Sequence, residues 1–142
     1  MDPKPKVMII DENAGTRAFY ATELAESGYD VFAVGDVAAF EKAFGGAKPD
    51  LIILDPWIGG RYRWDVVSGI KERDSSMPVL LCLAFDAPLP FEAPFPRDLA
   101  TESLVLKSMW TEDLLLKVER ITKAPQRVAQ KAGGRTWMRS RR

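Results

Sequence analysis

Three acidic residues and one lysine stand where short apolar runs of the sequence end. Asp11 and Glu12 follow VMII, Asp55 follows LIIL, and Lys107 follows LVL. Carboxylates are ligands that hard cations such as Mg²⁺ prefer, and a carboxylate can also attack a phosphoryl group as a nucleophile. These four side chains could support such chemistry only if the fold brings them together.

The composition removes several other kinds of site. The chain has 142 residues, no histidine and one cysteine, Cys82, which excludes Ser-His-Asp and Cys-His catalysis and any histidine metal site. Cys82 lies within PVLLCLAF, and we expect it to be a small buried hydrophobic residue. Carboxylates, lysines or hydroxyls must therefore carry any chemistry.

The apolar pattern predicts strands that alternate with helices. The strand runs are continuously apolar rather than alternating, which is typical of a parallel sheet covered on both faces. The predicted strands cover residues 6–11, 29–34, 51–55, 77–85 and 104–107. The predicted helices begin near residues 13, 36, 63 and 111.

Capping residues set the expected helix ends. Gly28 stands where the first helix should end. Asp36 and Thr111 are expected N-caps, and the sequence GGAKP predicts that the second helix ends near Phe44. No helix is expected between the last two strands, because DAPLPFEAPFPRD (86–98) contains four prolines. We expect a Pro-rich loop there.

A sheet of this kind places the four side chains at one edge. In a flavodoxin-like, doubly wound, five-stranded parallel sheet ordered 2-1-3-4-5, the first strand lies between the second and the third, and sites lie beyond the carboxyl ends of the strands. Three carboxylates would repel one another there, and Lys107 together with a bound Mg²⁺ would relieve that repulsion. Asp55 is therefore a candidate phosphate acceptor.

From Lys6 to Ile121 the chain resembles the receiver domain of two-component response regulators. VMIIDEN resembles the acidic pair of the first strand, and DLIILDPWIGGRYRWDVVSGIK resembles the acceptor strand, its loop and the third helix. MPVLLCLA and SLVLKSMWTEDLLLKVERI resemble the last two strands and the last helix. The combination of acidic pair, acceptor and lysine makes the resemblance specific.

The resemblance implies a role for each of these positions. Asp55 would be the phosphoacceptor, and Asp11 and Glu12 would hold Mg²⁺, together with Asp55 and the backbone carbonyl of Trp57. Lys107 would contact the phosphoryl group. Glu12 stands where the family usually has Asp, which keeps the charge but adds one methylene group.

Three positions depart from the usual pattern of the family. The hydroxyl residue that ends the fourth strand in the family is Leu83 here, and leucine cannot hydrogen-bond a phosphoryl group. The aromatic residue of the fifth strand is Leu104, and the proline after the lysine is Ser108. The resemblance therefore implies intact acceptor chemistry with degenerate switch positions.

The sequence leads us to expect a stand-alone receiver in a two-component phosphorelay, a phosphoacceptor signalling domain rather than an enzyme. Its partners would be a histidine kinase or phosphotransfer protein and a downstream protein, and a homodimer is possible. The alternative is a pseudo-receiver, an interaction module that binds its partner regardless of phosphate.

A hydrolase with an Asp nucleophile is disfavoured, because position 57 is Trp instead of a second acid. Trp57 and Tyr62 could cover the site or meet another protein.

The charge is divided unevenly along the chain. Residues 1–123, the expected receiver-like domain, hold 14 Lys and Arg and all 20 Asp and Glu, a net charge of −6, whereas residues 124–142 hold six Lys and Arg and no acid. This basic tail could be flexible, extend the last helix, or contact the acidic body, a second copy or an anionic surface; a nucleic acid is not favoured. With no signal peptide and no apolar run of the roughly 20 residues that span a bilayer, we expect a cytoplasmic protein without membrane contact.

Overall fold

The computed structural model describes residues 3–84 and 104–123, and these form a parallel sheet flanked by helices. These described residues contain seven strands, two of them very short: β1 (Lys6–Ile10), β2 (Asp30–Val34), β3 (Leu51–Leu54), β4 (Trp57–Ile58), β5 (Arg61–Tyr62), β6 (Val79–Leu83) and β7 (Leu104–Leu106). The helices within the same ranges are α1 (Ala14–Glu26), α2 (Val37–Ala47), α3 (Trp64–Arg73) and α4 (Glu112–Thr122).

The main sheet confirms the predicted topology. Its order is β2-β1-β3-β6-β7 with all pairs parallel, which is the predicted 2-1-3-4-5 order once the two short strands are set aside. The predicted Pro-rich loop in place of a helix, and the basic tail, lie outside the described residues.

The central strands are buried on both faces, as their continuous apolar runs require. Successive side chains of a strand point to opposite faces, and they enter two separate cores. One core contains Val7, Ile9, Leu51, Ile53, Leu80 and Cys82, packed with residues of α1 and α4. The other contains Met8, Ile10, Ile52, Leu54, Val79 and Leu81, packed with residues of α2 and α3.

Side-chain caps begin the first two helices. The Asn13 side chain accepts the Thr16 N–H at 2.9 Å, and the Asp36 side chain accepts the Ala39 N–H at 2.7 Å. Such caps satisfy amide groups that have no partner within the helix. Gly28 follows the end of α1 with a φ of 98°, a conformation that glycine adopts without strain.

One predicted helix end needs correction, and one predicted N-cap, Thr111, is in place without a side-chain capping bond. The second helix does not end near Phe44 but continues through two glycines to Ala47, and Lys48 ends it in a left-handed conformation. Glycine costs only about 1 kcal/mol in a helix, whereas Pro49 disfavours helical backbone at the residue before it. Thr111 does precede α4, but its side chain makes no capping bond; its hydroxyl instead donates to Glu23 at 2.8 Å.

A β-hairpin occupies the segment that was expected to be the loop between the acceptor strand and the third helix. β4 and β5 pair antiparallel, with Trp57 opposite Tyr62 and Ile58 opposite Arg61. Gly59 and Gly60 connect them with φ values of 65° and 82°. Two positive φ angles in a two-residue connection are the mark of a type I′ turn, which glycine permits. The hairpin directly follows Asp55 and Pro56.

No helix within residues 3–84 and 104–123 is both long enough and apolar enough to cross a membrane.

Candidate functional site

The strand register brings three of the predicted site residues to one edge of the sheet. Ile10 pairs with Leu54, so Asp11 and Asp55 follow neighbouring strands at the same level. Leu83 pairs with Leu106 on the next strands, and Lys107 follows directly. The Asp55 N–H donates to the Ile10 carbonyl at 2.9 Å, and the Lys107 N–H donates to the Leu83 carbonyl at 2.7 Å. Backbone pairing therefore fixes the positions of the Cα atoms of Asp11, Asp55 and Lys107 at this edge of the sheet.

Lys107 lies between the two aspartates. Its Nζ is 2.5 Å from Asp55 Oδ2 and 2.7 Å from Asp11 Oδ2. Both aspartates are buried, with exposed fractions of 3% for Asp11 and 5% for Asp55. One ammonium group thus balances two carboxylates that would otherwise be buried as repelling charges.

The second oxygen of each aspartate is held by the backbone. Asp55 Oδ1 accepts the N–H of Trp57 at 2.9 Å, and Asp11 Oδ1 accepts the N–H of Asn13 at 2.9 Å. An Asp that bonds the backbone two residues on forms a local turn. These turns direct both carboxylates back over the sheet edge instead of into solvent.

Burial and charge act against each other at this cluster. Burial raises the pKa of Asp55, and the contact with Lys107 offsets only part of that rise. Burial alone would lower the pKa of Lys107, but its bonds to Asp11 and Asp55 outweigh burial, so the pKa of Lys107 is raised. Lys107 therefore stays protonated at neutral pH.

Glu12 lies at the same edge but points elsewhere. Its side chain is exposed, and both carboxylate oxygens lie 3.2 Å from the Gly59 N–H at the hairpin tip. Within the described part of the chain, no three acidic side chains converge as a ready-made metal site. Asp11, Asp55 and Glu12 nevertheless supply only carboxylate oxygens, and this donor set fits Mg²⁺.

The hairpin geometry leaves the Trp57 carbonyl pointing away from its partner strand. The Arg63 N–H donates to the Pro56 carbonyl at 2.7 Å, so Trp57 and Tyr62 form the adjacent, non-hydrogen-bonded pair of the ladder. In such a pair the N–H and C=O of a residue both face outward, and the Trp57 N–H faces Asp55. The Trp57 carbonyl is therefore not used by the hydrogen bonds of the hairpin.

The two degenerate switch positions lie at the end of β6 and the start of β7. Leu83 is buried, with 4% of its surface exposed. Leu104 is partly buried and packs against the core that α2 and α3 cover. Both side chains therefore pack on the same face of the sheet. Neither can donate or accept a hydrogen bond.

Tyr20 and Arg17 support the site and were not identified from the sequence. The Ser108 N–H donates to the Tyr20 hydroxyl at 3.0 Å, which anchors the residue after Lys107 to α1. Arg17 donates to the Asp11 carbonyl at 2.8 Å, and a Cβ at Gly35 would lie 2.6 Å from its guanidinium. The missed signals were a basic residue near the start of α1, six positions after Asp11, and a glycine directly after β2.

Three aromatic rings pack together beside the acceptor. Trp57 and Tyr62 meet edge to face with ring centroids 4.9 Å apart, and Tyr62 stacks on Trp64 at 5.2 Å. Burial and the nearby charge of Asp55 both raise the pKa of Tyr62. Trp57 and Tyr62 are only partly buried, so this cluster flanks Asp55 and still presents aromatic surface.

Comparison with known proteins gives a family and a set of similar folds. A family model described as the response regulator receiver domain matches residues 7–119. The N-terminal domain of a response regulator/sensory box/GGDEF three-domain protein from Carboxydothermus hydrogenoformans is 26% identical, with a TM-score of 0.69, over 85% of this chain and 96% of that chain. No curated protein matches the sequence significantly.

Two further structures show the same fold at lower identity. The response regulator TrrA from Thermotoga maritima, in complex with Mg²⁺ and BeF, is 22% identical with a TM-score of 0.65, over 82% of this chain and 98% of that chain. A chain in the complex of the histidine kinase ThkA with TrrA is 21% identical with a TM-score of 0.63, over 82% of this chain and 97% of that chain.

Proposed function

Because the chain belongs to the family of response regulator receiver domains of two-component systems, we propose that it accepts a phosphoryl group on Asp55. The observation that carries this proposal is the position of Lys107 Nζ, within 2.7 Å of both Asp11 and Asp55. A cation at that point neutralises the acceptor and is close enough to contact a phosphoryl oxygen after transfer.

In the proposed reaction, an Asp55 carboxylate oxygen attacks the phosphorus of a phosphodonor. An O–P bond forms as the bond between phosphorus and the donor atom breaks, and the donor leaves with that electron pair. Lys107 then exchanges its contact with the carboxylate for one with the transferred group. The backbone bond from Trp57 to Asp55 Oδ1 orients the carboxylate before the attack.

Asp11, Glu12, Asp55 and the Trp57 carbonyl would hold Mg²⁺. The metal, when bound, supplies a charge that stabilises the transferring oxygens. Glu12 would have to leave the Gly59 N–H to contribute, and it is exposed enough to do so. TrrA was solved with Mg²⁺ and BeF, which supports the same cofactor for this chain by similarity of fold.

The natural donor in this proposal is a histidine kinase or a phosphotransfer protein. The similarity to a chain in the ThkA–TrrA complex supports a kinase partner. The output would be contact with a downstream protein, in the cytoplasm, by residues 1–123 acting as one receiver unit and residues 124–142 as an appended tail. A homodimer is compatible with this proposal.

A phosphate-independent pseudo-receiver is the second candidate, and Leu83 and Leu104 favour it. A hydroxyl that follows the phosphoryl group is the kind of local contact that converts a new charge into a change of shape. Leu83 offers only a buried aliphatic side chain there. In this alternative the fold binds its partner whether or not Asp55 carries phosphate.

Intact mass spectrometry separates the two candidates. The protein is incubated with Mg²⁺ and acetyl phosphate as wild type, as Asp55→Asn and as Asp36→Asn. Asp36→Asn is the matched control, because Asn caps a helix as well as Asp does. A single phosphoryl adduct on wild type and on Asp36→Asn, but not on Asp55→Asn, supports the acceptor. No adduct on wild type, under conditions that label an ordinary receiver domain, would favour the pseudo-receiver.

A further inference from the structure

A groove outside the acceptor site lies between α1, β7 and the start of α4. It is open to solvent and has a volume of about 1060 Å³. We refer to it as the α4 groove. Its walls include Phe19 on α1, Leu106 on β7, Met109 and Trp110 before α4, and Leu116 on α4. None of these residues contributes to the cluster around Asp55.

The apolar walls of the α4 groove are unusually exposed. Met109 is 87% exposed and Trp110 is 78% exposed. More than half of Leu106 and more than two fifths of Phe19 and Leu116 are also exposed. An exposed apolar surface with a polar rim is typical of a contact site for a polypeptide.

The rim of the α4 groove is acidic. Glu23 on α1 and Glu112 and Asp113 at the start of α4 line it. Asp113 is also 3.6 Å from Lys117 one turn later, but Lys117 donates to the Leu104 carbonyl at 2.8 Å and so is held at the sheet edge. The groove therefore suits a segment with both apolar side chains and positive charge.

The sequence after α4 carries such a segment. Residues 135–142, RTWMRSRR, combine four arginines with Trp137 and Met138, and residues 124–142 contain no acid. Trp and Met are side chains that fill apolar contact sites. Arginine forms paired hydrogen bonds with carboxylates.

The geometry allows this segment to return to the groove of its own molecule. Lys123 ends α4 with a φ of 57°, a left-handed residue that turns the chain out of the helix axis. The 11 residues of α4 span about 16 Å at 1.5 Å per residue. Residues 124–134 can extend to about 36 Å, so residue 135 can reach the start of α4.

We propose that residues 135–142 dock in the α4 groove of the same molecule. Trp137 and Met138 cover the exposed side chains of Met109 and Trp110, and the arginines pair with Glu112, Asp113 and Glu23. Because residues 124–134 join the two parts of one chain, docking is intramolecular, with an effective concentration on the order of millimolar. Docking within one molecule is therefore favoured over docking on a second copy at ordinary protein concentrations.

Disulfide trapping in the full-length chain tests this docking. Met109→Cys and Met138→Cys are combined, and intramolecular disulfide formation is followed by intact mass and by non-reducing gels. The native Cys82 does not interfere, because it is buried and burial raises the pKa of its thiol to about 12. Ala38→Cys with Met138→Cys is the control, since Ala38 is exposed on α2, away from the groove.

We expect the groove pair to form a disulfide within the monomer at least about five times faster than the control pair. Adding Glu112→Lys and Asp113→Lys, or raising the salt to about 0.5 M, should lower that rate about threefold or more, because the ion pairs are at the surface. Equal rates for the two pairs would overturn the proposal. Crosslinked dimers as the main product would also overturn it, in favour of a second copy.

Discussion

The ammonium group of Lys107 lies within 2.7 Å of one oxygen from each of two buried carboxylates. Its removal would leave Asp11 and Asp55 facing each other without a counter-charge. Uncompensated buried charges are among the most destabilising changes a protein can undergo. Lys107 is therefore as important for folding as it is for the proposed chemistry.

We expect Lys107→Met to lower the free energy of unfolding by about 3 kcal/mol. Urea unfolding at pH 7 measures this loss. Lys71→Met is the matched control: it removes a lysine that donates to the Met77 carbonyl at 2.6 Å and should cost about 1 kcal/mol. Adding Asp55→Asn to Lys107→Met should recover part of the loss. Equal costs for the two lysines would contradict this account.

The pH dependence of stability should report on Asp55. Its pKa is raised by burial in the folded state, so the folded protein binds this proton more tightly than the unfolded chain. The contribution of Asp55 to the free energy of unfolding therefore decreases as the pH rises from about 3.9, the ordinary pKa of an aspartate, to the raised pKa of the folded state. Above that raised pKa the contribution is constant.

Urea unfolding of wild type and Asp55→Asn between pH 4 and pH 7 tests this. Asparagine does not titrate, so the stability of wild type relative to Asp55→Asn should decrease as the pH rises through that interval. A relative stability that increases with pH would mean that Lys107 lowers the pKa of Asp55 more than burial raises it.

At the residue level, the sequence identified the members of the cluster but not their supports. Asp11, Asp55 and Lys107 are each the first polar residue after a strand, so the strand order was enough to bring them together. Tyr20 was not identified from the sequence as a support of the site. Helical spacing gives the direction of a side chain, whereas its bond to Ser108 depends on how α1 packs against the end of β7.

At the level of elements, the hairpin β4–β5 is the part that the pattern did not reveal. Its strands are two residues long, too short for any periodicity. The Gly59–Gly60 pair was the available signal, since two glycines between short strands suit a type I′ turn. Together with the Glu12 contact to Gly59, the turn holds the aromatic cluster beside Asp55.

Two glycine substitutions should change stability in opposite directions. Gly60→Ala places a side chain at a φ of 82°, and we expect a loss of about 1 kcal/mol. Gly46→Ala lies within α2, where nothing lies within 4 Å of the new Cβ, and should gain about 0.5–1 kcal/mol. Thermal unfolding of both variants checks the signs. Two changes of the same sign would contradict the turn assignment.

For the whole molecule, we expect folding to proceed without a metal. Lys107 and backbone N–H groups already satisfy the carboxylates of Asp11 and Asp55. The two cores on either side of the sheet contain no part of this cluster. Metal binding should therefore add to the stability of a chain that is already folded.

We expect EDTA to leave the urea midpoint of the metal-free protein unchanged. Mg²⁺ at about 10 mM should raise the free energy of unfolding by on the order of 1 kcal/mol if its dissociation constant is millimolar. The fluorescence of Trp57 should change over the same range. Asp11→Asn should weaken both responses, whereas Asp36→Asn should leave them intact. A response that is unchanged in Asp11→Asn would mean that the metal binds at a site other than the strand ends.

The turn at Gly59 and Gly60 also makes this chain a convenient frame for an optical biosensor. Nothing lies within 4 Å of a Cβ added at either glycine, so a circularly permuted fluorescent protein could be inserted between them without entering the core. The brightness of the inserted protein would then report changes in the conformation of the hairpin. Because the Gly59 N–H donates to Glu12, it would also report the binding of a ligand beside Asp55.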